Sequence, residues 1–297
     1  MLSSAAFKAM GVSNTVAVAD PSALEPAVGI VRRKIAAIDA ACSRFRNDSE
    51  LTALNRAAGT GPVHVSRLLA DALDAAMHAA EMTGGLVDPT VGANVEDTGY
   101  TATFTAAPLE GPPLEVEVRQ VLGWHSVELD VANRVVSIPA GVVIDLGASG
   151  KAWAADQCAQ AVAELLGVSV LVESGGDVAT RGNAEWPVRV ALDQDAEDWQ
   201  DLLVRDGGLA TSGTTVRRWR RGGIEIHDII DPRTGSPARS PWAMVTVAAA
   251  TCLEANAAAT AALILGTQAI AWLDGCRLPA RLVALDGAVE TTGGWAN

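Results

Sequence analysis

The order of the predicted secondary-structure elements is the feature that most restricts the fold of this chain. Short apolar segments typical of strands are mixed with segments in which apolar residues recur at the spacing of one helix face. The two kinds of segment do not alternate as a regular strand–helix–strand repeat, which argues against a doubly wound parallel sheet. We therefore predict an α+β fold with mixed, largely antiparallel sheets and packed helices. The predicted strands lie near 15–18, 134–138, 141–145, 168–173, 187–193, 244–250 and 281–286.

Helices are predicted from apolar periodicity and from capping residues. A first helix is expected after Asp20, because apolar residues between Val28 and Ile38 recur at helical spacing. Ser66 is a good N-cap for a second helix, and Gly84-Gly85 is expected to end it. Three further helices are predicted at 151–166, 252–265 and 268–274.

Chain length bounds the number of domains. A chain of 297 residues holds one large domain or two, and 49% apolar residues are enough for a sizeable core. We expect a single domain over residues 1–297. Residues 93–115 have little periodicity and many Gly, Pro and Thr residues, so they are expected to form an irregular surface excursion.

The net charge of −13 restricts the ligands that the chain can bind. It argues against nonspecific binding to nucleic acid, which depends on Lys and Arg neutralising phosphates. The basic segment 217–221 around Trp219 is therefore interpreted as a solvated strand or hairpin rather than an RNA site. The same negative charge means that a phosphate ligand would need a local cation, a lysine or a set of backbone amides.

Cysteine spacing and hydropathy bear on metal sites and location. The four cysteines show neither C-x-x-C spacing nor a zinc pattern, and Cys158 and Cys252 lie in Ala-rich segments where a small buried thiol is expected. The first residues lack both the apolar region of a signal peptide and a lipoprotein-type cysteine. No run of about 18 apolar residues predicts a membrane span. We expect a cytoplasmic protein without a span, although a trimmed exported protein would have the same pattern.

The segment His227-Asp-Ile-Ile-Asp-Pro-Arg-Thr-Gly235 contains more polar groups than a buried strand needs. Ile229 and Ile230 suit a buried strand. Pro232 and Gly235 then favour a sharp turn, because proline fixes φ and glycine accepts positive φ. A strand that ends in a polar turn is a common place for ligand contacts. The alternative for this segment alone is a hairpin turn with solvated charges.

The segment Asp145-Leu-Gly-Ala-Ser-Gly-Lys151 joins a predicted strand to a predicted helix. Gly147 and Gly150 allow the backbone to approach a ligand closely, and the helix start offers free N–H groups beside the charge of Lys151. These are the ingredients of a pyrophosphate site. The G-x-x-x-x-G-K spacing is absent, so the segment does not predict an NTPase. A Gly-rich turn with an extended lysine is the alternative.

Two further polar groups are candidates for chemistry. Asn256 and Thr260 are four residues apart in a predicted helix, so their oxygens lie on one face. An Ala-rich core helix with one polar pair is the alternative. Asp177 follows Gly175-Gly176 at the end of an apolar strand, where it could act as a base or support a metal. A tight turn is the alternative there.

Six segments, in their order along the chain, resemble the FAD:protein FMN transferase (ApbE-like flavin transferase) family. The resemblance runs from about Met10 to about Gly266, which is most of the chain. The segments are Cys42-Ser-Arg-Phe-Arg-Asn-Asp-Ser-Glu-Leu-Thr-Ala-Leu-Asn55, Gly84-Gly-Leu-Val-Asp-Pro-Thr-Val-Gly92, Asp145–Lys151, Glu173-Ser-Gly-Gly-Asp177, Ala210-Thr-Ser-Gly213 and His227–Gly235.

The resemblance implies an Mg²⁺-dependent enzyme with FAD as substrate. Such an enzyme transfers FMN to a Thr hydroxyl of an acceptor protein and releases AMP, with the flavin in a cleft between two halves of one compact unit. The resemblance implies catalytic roles for Asp177 and His227. It also implies metal ligation by the carbonyl of Ala148 and by Asn256 and Thr260. The implied FAD contacts are Met10, Leu86, Val87, Asp88, Asp145, Lys151, Thr211, Ser212, Gly213 and Ile229.

Two positions depart from the family pattern. Asn256 stands where the family has a metal-binding Asp, and Asp228 replaces a second His after His227. An amide oxygen can still bind Mg²⁺, but without the negative charge we expect weaker metal affinity. The alternative function is therefore an FAD-binding protein or FAD pyrophosphatase with lost or weakened transferase activity. In the transferase interpretation the partner is the acceptor protein, and no nucleic acid is expected.

Overall fold

The computed structural model describes residues 2–100, 109–111, 120–191, 199–215 and 217–296. Contacts between Cα atoms divide the chain into two compact units. Unit 1 comprises Met1–Ala37, Lys151–Gly213 and Ser240–Asn297, and unit 2 comprises Ile38–Gly150 and Thr214–Arg239. The single domain over 1–297 and the flavin cleft both stay predictions.

Helices and strands follow each other irregularly along the chain. In the described ranges the α-helices are α1 (Leu24–Cys42), α2 (Glu50–Arg56), α3 (Arg67–Met82), α4 (Gly92–Asp97), α5 (Gly150–Leu166), α6 (Cys252–Leu265) and α7 (Ala269–Cys276), with 3₁₀ turns at Pro21–Ala23, Trp124–Ser126 and Gly266–Gln268. The strands there are β1 (Ser3–Ala9), β2 (Val12–Val18), β3 (Val63–His64), β4 (Glu110–Gly111), β5 (Glu128–Asp130), β6 (Val135–Ser137), β7 (Val170–Ser174), β8 (Asp177–Arg181), β9 (Trp186–Ala191), β10 (Trp199–Val204), β11 (Gly207–Gly213), β12 (Arg218–Arg221), β13 (Ile224–His227), β14 (Ile230–Asp231), β15 (Ser236–Pro237), β16 (Trp242–Ala249), β17 (Ala280–Ala284) and β18 (Val289–Thr292).

An eight-stranded sheet organises unit 1. Its order is β1-β2-β7-β8-β11-β16-β17-β18, and every neighbouring pair is antiparallel. Two of its hairpins close through two-residue turns with positive φ, at Met10 and Gly11 (51° and 72°) and at Gly175 and Gly176 (61° and 97°). Positive φ at both turn positions matches the twist of paired strands, and glycine adopts it readily.

The two faces of this sheet belong to different parts of the core. Val170 and Val172 join a buried cluster with Ile35 of α1 and Ala155 of α5. Leu171, between the two valines, joins the opposite cluster, which is completed mainly by residues of β8, β9, β11, β16 and β17. Alternate residues of a strand point to opposite faces, so both faces of β7 are covered where it runs through the apolar segment Val170–Val172.

The described residues of unit 2 form three small sheets and an aromatic cluster. The sheets have the orders β3-β6-β5, β13-β12-β4 and β14-β15, and β12–β4 is a parallel pair. Tyr100 stacks on Trp219 with ring centroids 5.2 Å apart, and Trp219 Nε1 donates to the Thr98 carbonyl at 2.7 Å. Val95 and Ile226 pack in the same buried cluster.

The α+β prediction is confirmed, with largely antiparallel sheets and packed helices. The helices predicted at 151–166, 252–265 and 268–274 are α5, α6 and α7. Ser66 caps α3 by accepting the Leu69 N–H at 3.1 Å. Residues 192 and 193, at the end of the strand predicted at 187–193, lie outside the described residues.

The strand predicted at 141–145 is wrong. Val143 forms only an isolated bridge with Val91. The side chain of Asn55 accepts from the N–H of Ile144 and donates to its carbonyl, both at 2.9 Å. The Asp145 N–H donates to the Pro89 carbonyl at 2.8 Å. A side chain and a loop thus satisfy the backbone groups that a neighbouring strand would otherwise pair.

The irregular excursion predicted at 93–115 is corrected where the structure describes it. Residues 92–97 form α4, and Val95 and Tyr100 are buried. The apolar contacts of these two residues explain why this part is ordered despite its weak periodicity. Residues 101–108 and 112–115 lie outside the described residues.

The segment Cys252–Cys276 is long and apolar enough to cross a membrane. In its most apolar window 67% of the residues are buried within the protein, as in the core helix of a globular unit. The absence of a span and the cytoplasmic location stay predictions.

Candidate active site

Helix α6, which carries Asn256 and Thr260, begins at a well-satisfied N-terminus. Thr251 Oγ1 accepts from the Glu254 N–H at 3.1 Å, and Glu254 Oε2 accepts from the Thr251 N–H at 3.2 Å. This reciprocal pair is a capping box. Asp156 on α5 accepts from the N–H groups of Cys252 at 3.0 Å and Leu253 at 2.9 Å. The first turn of α6 is therefore anchored to α5 within unit 1.

Asp156 is a site-supporting residue that the sequence analysis missed. Burial raises the pKa of its carboxyl, while the Leu253 and Cys252 N–H groups and the Arg181 guanidinium act in the opposite direction. Arg181 Nη2 lies 3.5 Å from Asp156 Oδ1. The bonds to α6 and the ion pair partly offset the cost of burying this carboxylate. An Asp within a predicted apolar helix was the only available signal.

Asn256 and Asp177 form a buried hydrogen-bonded pair in unit 1. Asn256 Nδ2 donates to Asp177 Oδ1 at 3.1 Å, and the two residues are 7% and 2% exposed. Asp177 is the first residue of β8, directly after the Gly175-Gly176 turn. Asn256 Oδ1 is buried without a hydrogen-bond partner. Native proteins rarely leave a buried acceptor unsatisfied, so this oxygen marks a place for a cation or another ligand.

Ser212 and Thr260 form a second buried pair. Their hydroxyl oxygens are 2.7 Å apart and join β11 to α6. Thr211, the preceding residue, instead contacts Thr246 of β16, with hydroxyl oxygens 2.9 Å apart. Because neighbouring strand residues point to opposite faces, Ser212 faces α6 and Thr211 faces away from it.

These residues fit a magnesium ion by their chemistry. Asp177, Ser212, Asn256 and Thr260, which we call the α6 oxygen cluster, provide one carboxylate, one amide oxygen and two hydroxyls. Mg²⁺ prefers such oxygen ligands. Across the part of the chain that the structure describes, no group of three or more His, Cys, Asp and Glu residues could hold a metal. A metal in the cluster would therefore depend on neutral oxygens as well as on Asp177.

Charges of both signs surround the start of α6. Cys252 is fully buried, and burial raises the pKa of its thiol well above the ordinary value. Asp177 and Asp156 raise this pKa further, whereas Lys151 and Arg181 lower it. The predicted pyrophosphate contact Lys151 thus acts on the same region of unit 1 as Asp177.

Asp145 in unit 2 is held by an arginine that the sequence analysis did not single out. Arg44 Nε lies 3.1 Å from Asp145 Oδ2, and Arg44 Nη1 donates to the Tyr100 carbonyl at 2.8 Å. Asp145 Oδ1 accepts from the Gly147 N–H at 2.6 Å, which shapes the turn before α5. Ala148, the predicted carbonyl ligand, lies exposed in that turn.

Asp88 also organises a turn of unit 2. Its Oδ1 accepts from the Thr90 N–H at 2.8 Å and the Thr90 hydroxyl at 2.6 Å, and its Oδ2 accepts from the Trp124 N–H at 2.9 Å. Val87 is buried and its N–H donates to Thr83 Oγ1 at 3.1 Å, whereas Leu86 is partly exposed. These bonds indicate that Asp88 shapes the loop that contains Leu86 and Val87.

His227 is engaged by backbone at both ring nitrogens. Its Nε2 lies 3.0 Å from the Ala238 carbonyl oxygen, and its Nδ1 lies 3.3 Å from the donating Ile229 nitrogen. These partners require the proton on Nε2. Burial lowers the pKa of His227, so the ring is neutral at pH 7. In this conformation neither nitrogen is open to a substrate.

The rest of the 227–235 segment forms the hairpin of the alternative interpretation, but its Asp231 is buried rather than solvated. Strands β14 and β15 pair antiparallel, and Asp231 accepts from the backbone and the guanidinium of Arg233. Asp228 pairs with Arg217 at 3.3 Å. The Ile229 carbonyl accepts from the Ala238 N–H at 2.9 Å. Local partners thus hold most polar groups of this segment.

The remaining predicted contacts lie at strand ends of unit 1. Met10 occupies the β1–β2 turn and packs on the cluster that contains Val16 and Val172. Gly213 ends β11 opposite Met244. In unit 1, hydrogen bonds therefore join four predicted residues in two pairs, whereas Asp88, Asp145 and His227 of unit 2 each have their own partners. The roles of all predicted site residues stay predictions.

A family model described as the ApbE family matches residues 10–282. The chain belongs to the ApbE family. The family resemblance predicted from the six segments is thus confirmed. Two relatives are both named FAD:protein FMN transferase. The one from Treponema pallidum is 34% identical over 245 residues, 76% of this chain and 67% of the relative. The one from Salmonella typhimurium is 28% identical over 255 residues, 80% and 71% of the two chains.

Solved ApbE structures share the fold. The ApbE protein of Thermotoga maritima superposes with a TM-score of 0.84 at 25% identity, covering 98% of this chain and 97% of that one. The flavin transferase ApbE of Vibrio cholerae gives a TM-score of 0.77 at 22% identity, covering 99% and 98%. This second likeness shows the fold alone.

Proposed function

We propose that this chain is an FAD:protein FMN transferase that uses Mg²⁺ and transfers FMN to a threonine of an acceptor protein. The names of the relatives that match 76% and 80% of the chain support flavin transfer. The observation that carries the proposal is the buried oxygen of Asn256, which lacks a partner beside Asp177.

The proposed reaction breaks the phosphoanhydride bond of FAD and forms a phosphoester bond to the acceptor protein. The oxygen of the acceptor threonine forms a bond to the phosphorus on the FMN side of FAD. The bond from that phosphorus to the bridging oxygen breaks, and AMP leaves with that oxygen. The protein mainly positions the reactants and offsets charge, as expected for phosphoryl-type transfer. Magnesium supplies positive charge to the pyrophosphate oxygens when it is bound.

Residues of the α6 oxygen cluster have distinct proposed roles. Asn256 and Thr260 would hold the metal. The Asp177 carboxylate would accept the proton that the threonine hydroxyl loses. Asp156 keeps the first turn of α6 in place, which positions Asn256 and Thr260 without contact to the substrate.

The remaining proposed roles concern FAD itself. Lys151 would offset charge on the pyrophosphate. Asp88 and Asp145 shape two turns of unit 2 through backbone bonds, so we propose that these turns contact FAD largely through backbone and through Leu86 and Val87. His227 would fix the backbone around Ile229 rather than exchange protons, because backbone groups engage both of its nitrogens. Met10, Thr211, Ser212 and Gly213 complete the proposed contacts.

An in-gel flavin assay tests the proposal. The purified chain is mixed with FAD, Mg²⁺ and a candidate acceptor protein, and AMP release is followed together with flavin fluorescence on a denaturing gel. We expect stoichiometric AMP and a fluorescent acceptor band, both absent when the acceptor threonine is changed to alanine. AMP without a labelled acceptor would instead indicate an FAD pyrophosphatase, and bound FAD without AMP a binding protein.

The Asp177→Asn variant tests the proposed base. The amide keeps the size of the side chain but accepts a proton far less readily. Transfer should fall by about 10²-fold or more, the usual contribution of a positioned base. Unchanged transfer would remove Asp177 from this role.

A further inference from the structure

We propose that Asn256 makes cation binding at the α6 oxygen cluster conditional on an anionic ligand. The cluster then takes up Mg²⁺ together with the pyrophosphate of FAD and binds the ion weakly on its own. This inference rests on the proposed function, and it names the residue that couples the binding of Mg²⁺ to the binding of FAD.

A hydrogen bond joins Asn256 and Asp177 directly within the cluster. The amide donates to the carboxylate at 3.1 Å, and both side chains are more than nine-tenths buried. A carboxylate at position 256 would instead bring two buried negative groups to about the same separation, where each disfavours the charge of the other. Such a pair would be stabilised by a cation or a shared proton, whereas Asn256 and Asp177 are joined by their own hydrogen bond.

The charges near the cluster reduce its attraction for a free divalent ion. Asp177 and Asp156 are the acidic groups that act on the Cys252 thiol, and they are opposed by Lys151 and Arg181. Asp156 is already paired with Arg181 at 3.5 Å. An Mg²⁺ ion approaching alone would therefore meet the charge of Asp177 together with the opposing charge of Lys151. A pyrophosphate adds negative charge that offsets Lys151 and attracts the metal.

Glu254 is the further acidic side chain in the first turn of α6. Its carboxylate accepts from the Thr251 N–H in the capping box. It also raises the pKa of Asp156. Movement of Glu254 toward a metal would give up the cap, so it is a poor replacement for a carboxylate at position 256.

The amide of Asn256 nevertheless remains a ligand. Its Nδ2 is committed to Asp177, which sets the orientation of the amide group, and its Oδ1 is buried without a partner. A neutral oxygen that is already oriented costs little to bring into coordination. Asn256 therefore combines low affinity for the free ion with readiness to bind the ion that accompanies FAD.

Calorimetry on the full chain tests this coupling. Mg²⁺ is titrated into the chain alone and into the chain saturated with FAD, and FAD is titrated in EDTA and in Mg²⁺. FAD should tighten Mg²⁺ binding at least about tenfold, and Mg²⁺ should tighten FAD binding by the same factor, because the coupling is reciprocal. Equal Mg²⁺ affinity with and without FAD would overturn the proposal.

The Asn256→Asp variant should reverse this behaviour. We expect at least about tenfold tighter binding of Mg²⁺ alone and a smaller effect of FAD on it. The melting temperature in EDTA should fall, and Mg²⁺ alone should restore it. Asn133→Asp is the matched control, because Asn133 Nδ2 donates to Asp130 Oδ2 at 2.8 Å in an exposed pair. That control should bind Mg²⁺ as the wild type does.

Asn256→Ala tests the same inference if the Asn256→Asp variant does not fold. It removes the oxygen without adding charge, so the coupling between FAD and Mg²⁺ should fall while the affinity for Mg²⁺ alone does not rise. Unchanged coupling in this variant would contradict the inference. A different result would refute the proposed function, namely no binding heat from FAD at any Mg²⁺ concentration. The titrations with Mg²⁺ alone still compare the variants in that case.

Discussion

Replacement of Asp156 with alanine should destabilise unit 1 by about 3 kcal/mol, because it removes the anchor of α6. Asp156 accepts from the N–H groups of Cys252 and Leu253, at 3.0 and 2.9 Å. Both donors belong to residues that are less than a tenth exposed. Each buried donor left without a partner costs about 1 to 3 kcal/mol, so the two together cost about 2 to 6 kcal/mol.

Two smaller effects modify this estimate, and the second places the expected value in the lower half of the range. The bond to Arg181 is long at 3.5 Å and partly exposed, so its loss adds less than about 1 kcal/mol. Burial raises the pKa of Asp156, which means that burying its charge carries a cost that alanine removes. At about 3 kcal/mol, the melting temperature should fall by about 6 to 12 °C.

Urea unfolding followed by circular dichroism, together with calorimetric melting, measures this loss. Asp20→Ala is the matched control. Asp20 also accepts two hydrogen bonds at a helix start, from the N–H and hydroxyl of Ser22 at 2.9 and 2.8 Å, but it is exposed. The control should lose clearly less stability than Asp156→Ala, because water can replace the exposed Asp20 carboxylate as the partner of Ser22. If Asp156→Ala loses no more than Asp20→Ala, the anchoring role assigned to Asp156 is refuted.

Three further predictions concern other buried groups. The imidazole of His227 should titrate by NMR below its ordinary pKa of 6.5. The free energy of unfolding should decrease as the pH falls through and below 6.5, because the unfolded state then binds the proton more readily. A pKa at or above 6.5 would contradict the buried neutral ring. Trp186→Ala should lower the free energy of unfolding in urea by about 3 to 5 kcal/mol, because Trp186 is 1% exposed. Trp199→Ala, at a 48% exposed position, should cost much less. Equal losses would argue against the buried cluster that contains Trp186. Thr260→Val should lower the free energy of unfolding by about 1 to 2 kcal/mol, because the Ser212 hydroxyl loses its partner at 2.7 Å, and a neutral effect would mean that the pair contributes nothing.

Helices were the most predictable part of the fold. Ser66 was recognised as an N-cap, and apolar periodicity located α1 and α3. Capping and one-sided burial depend on residues close in the chain, so they leave a local signal. The strand predicted at 141–145 failed for the opposite reason. The partner of Ile144 is the side chain of Asn55, at a sequence separation of 89 residues, and no local pattern indicates it.

The sequence by itself determined the mixed α+β class, the family and the segments in which a site should be sought, because these depend on patterning and on motif residues. It also marked Asp177 and Asn256 as candidates. Only the tertiary structure decided that these two are hydrogen-bonded, that one amide oxygen remains without a partner and that Asp156 anchors α6. Those facts depend on how segments 79 or more residues apart pack together, because this packing determines which groups lie within hydrogen-bonding distance of each buried polar group.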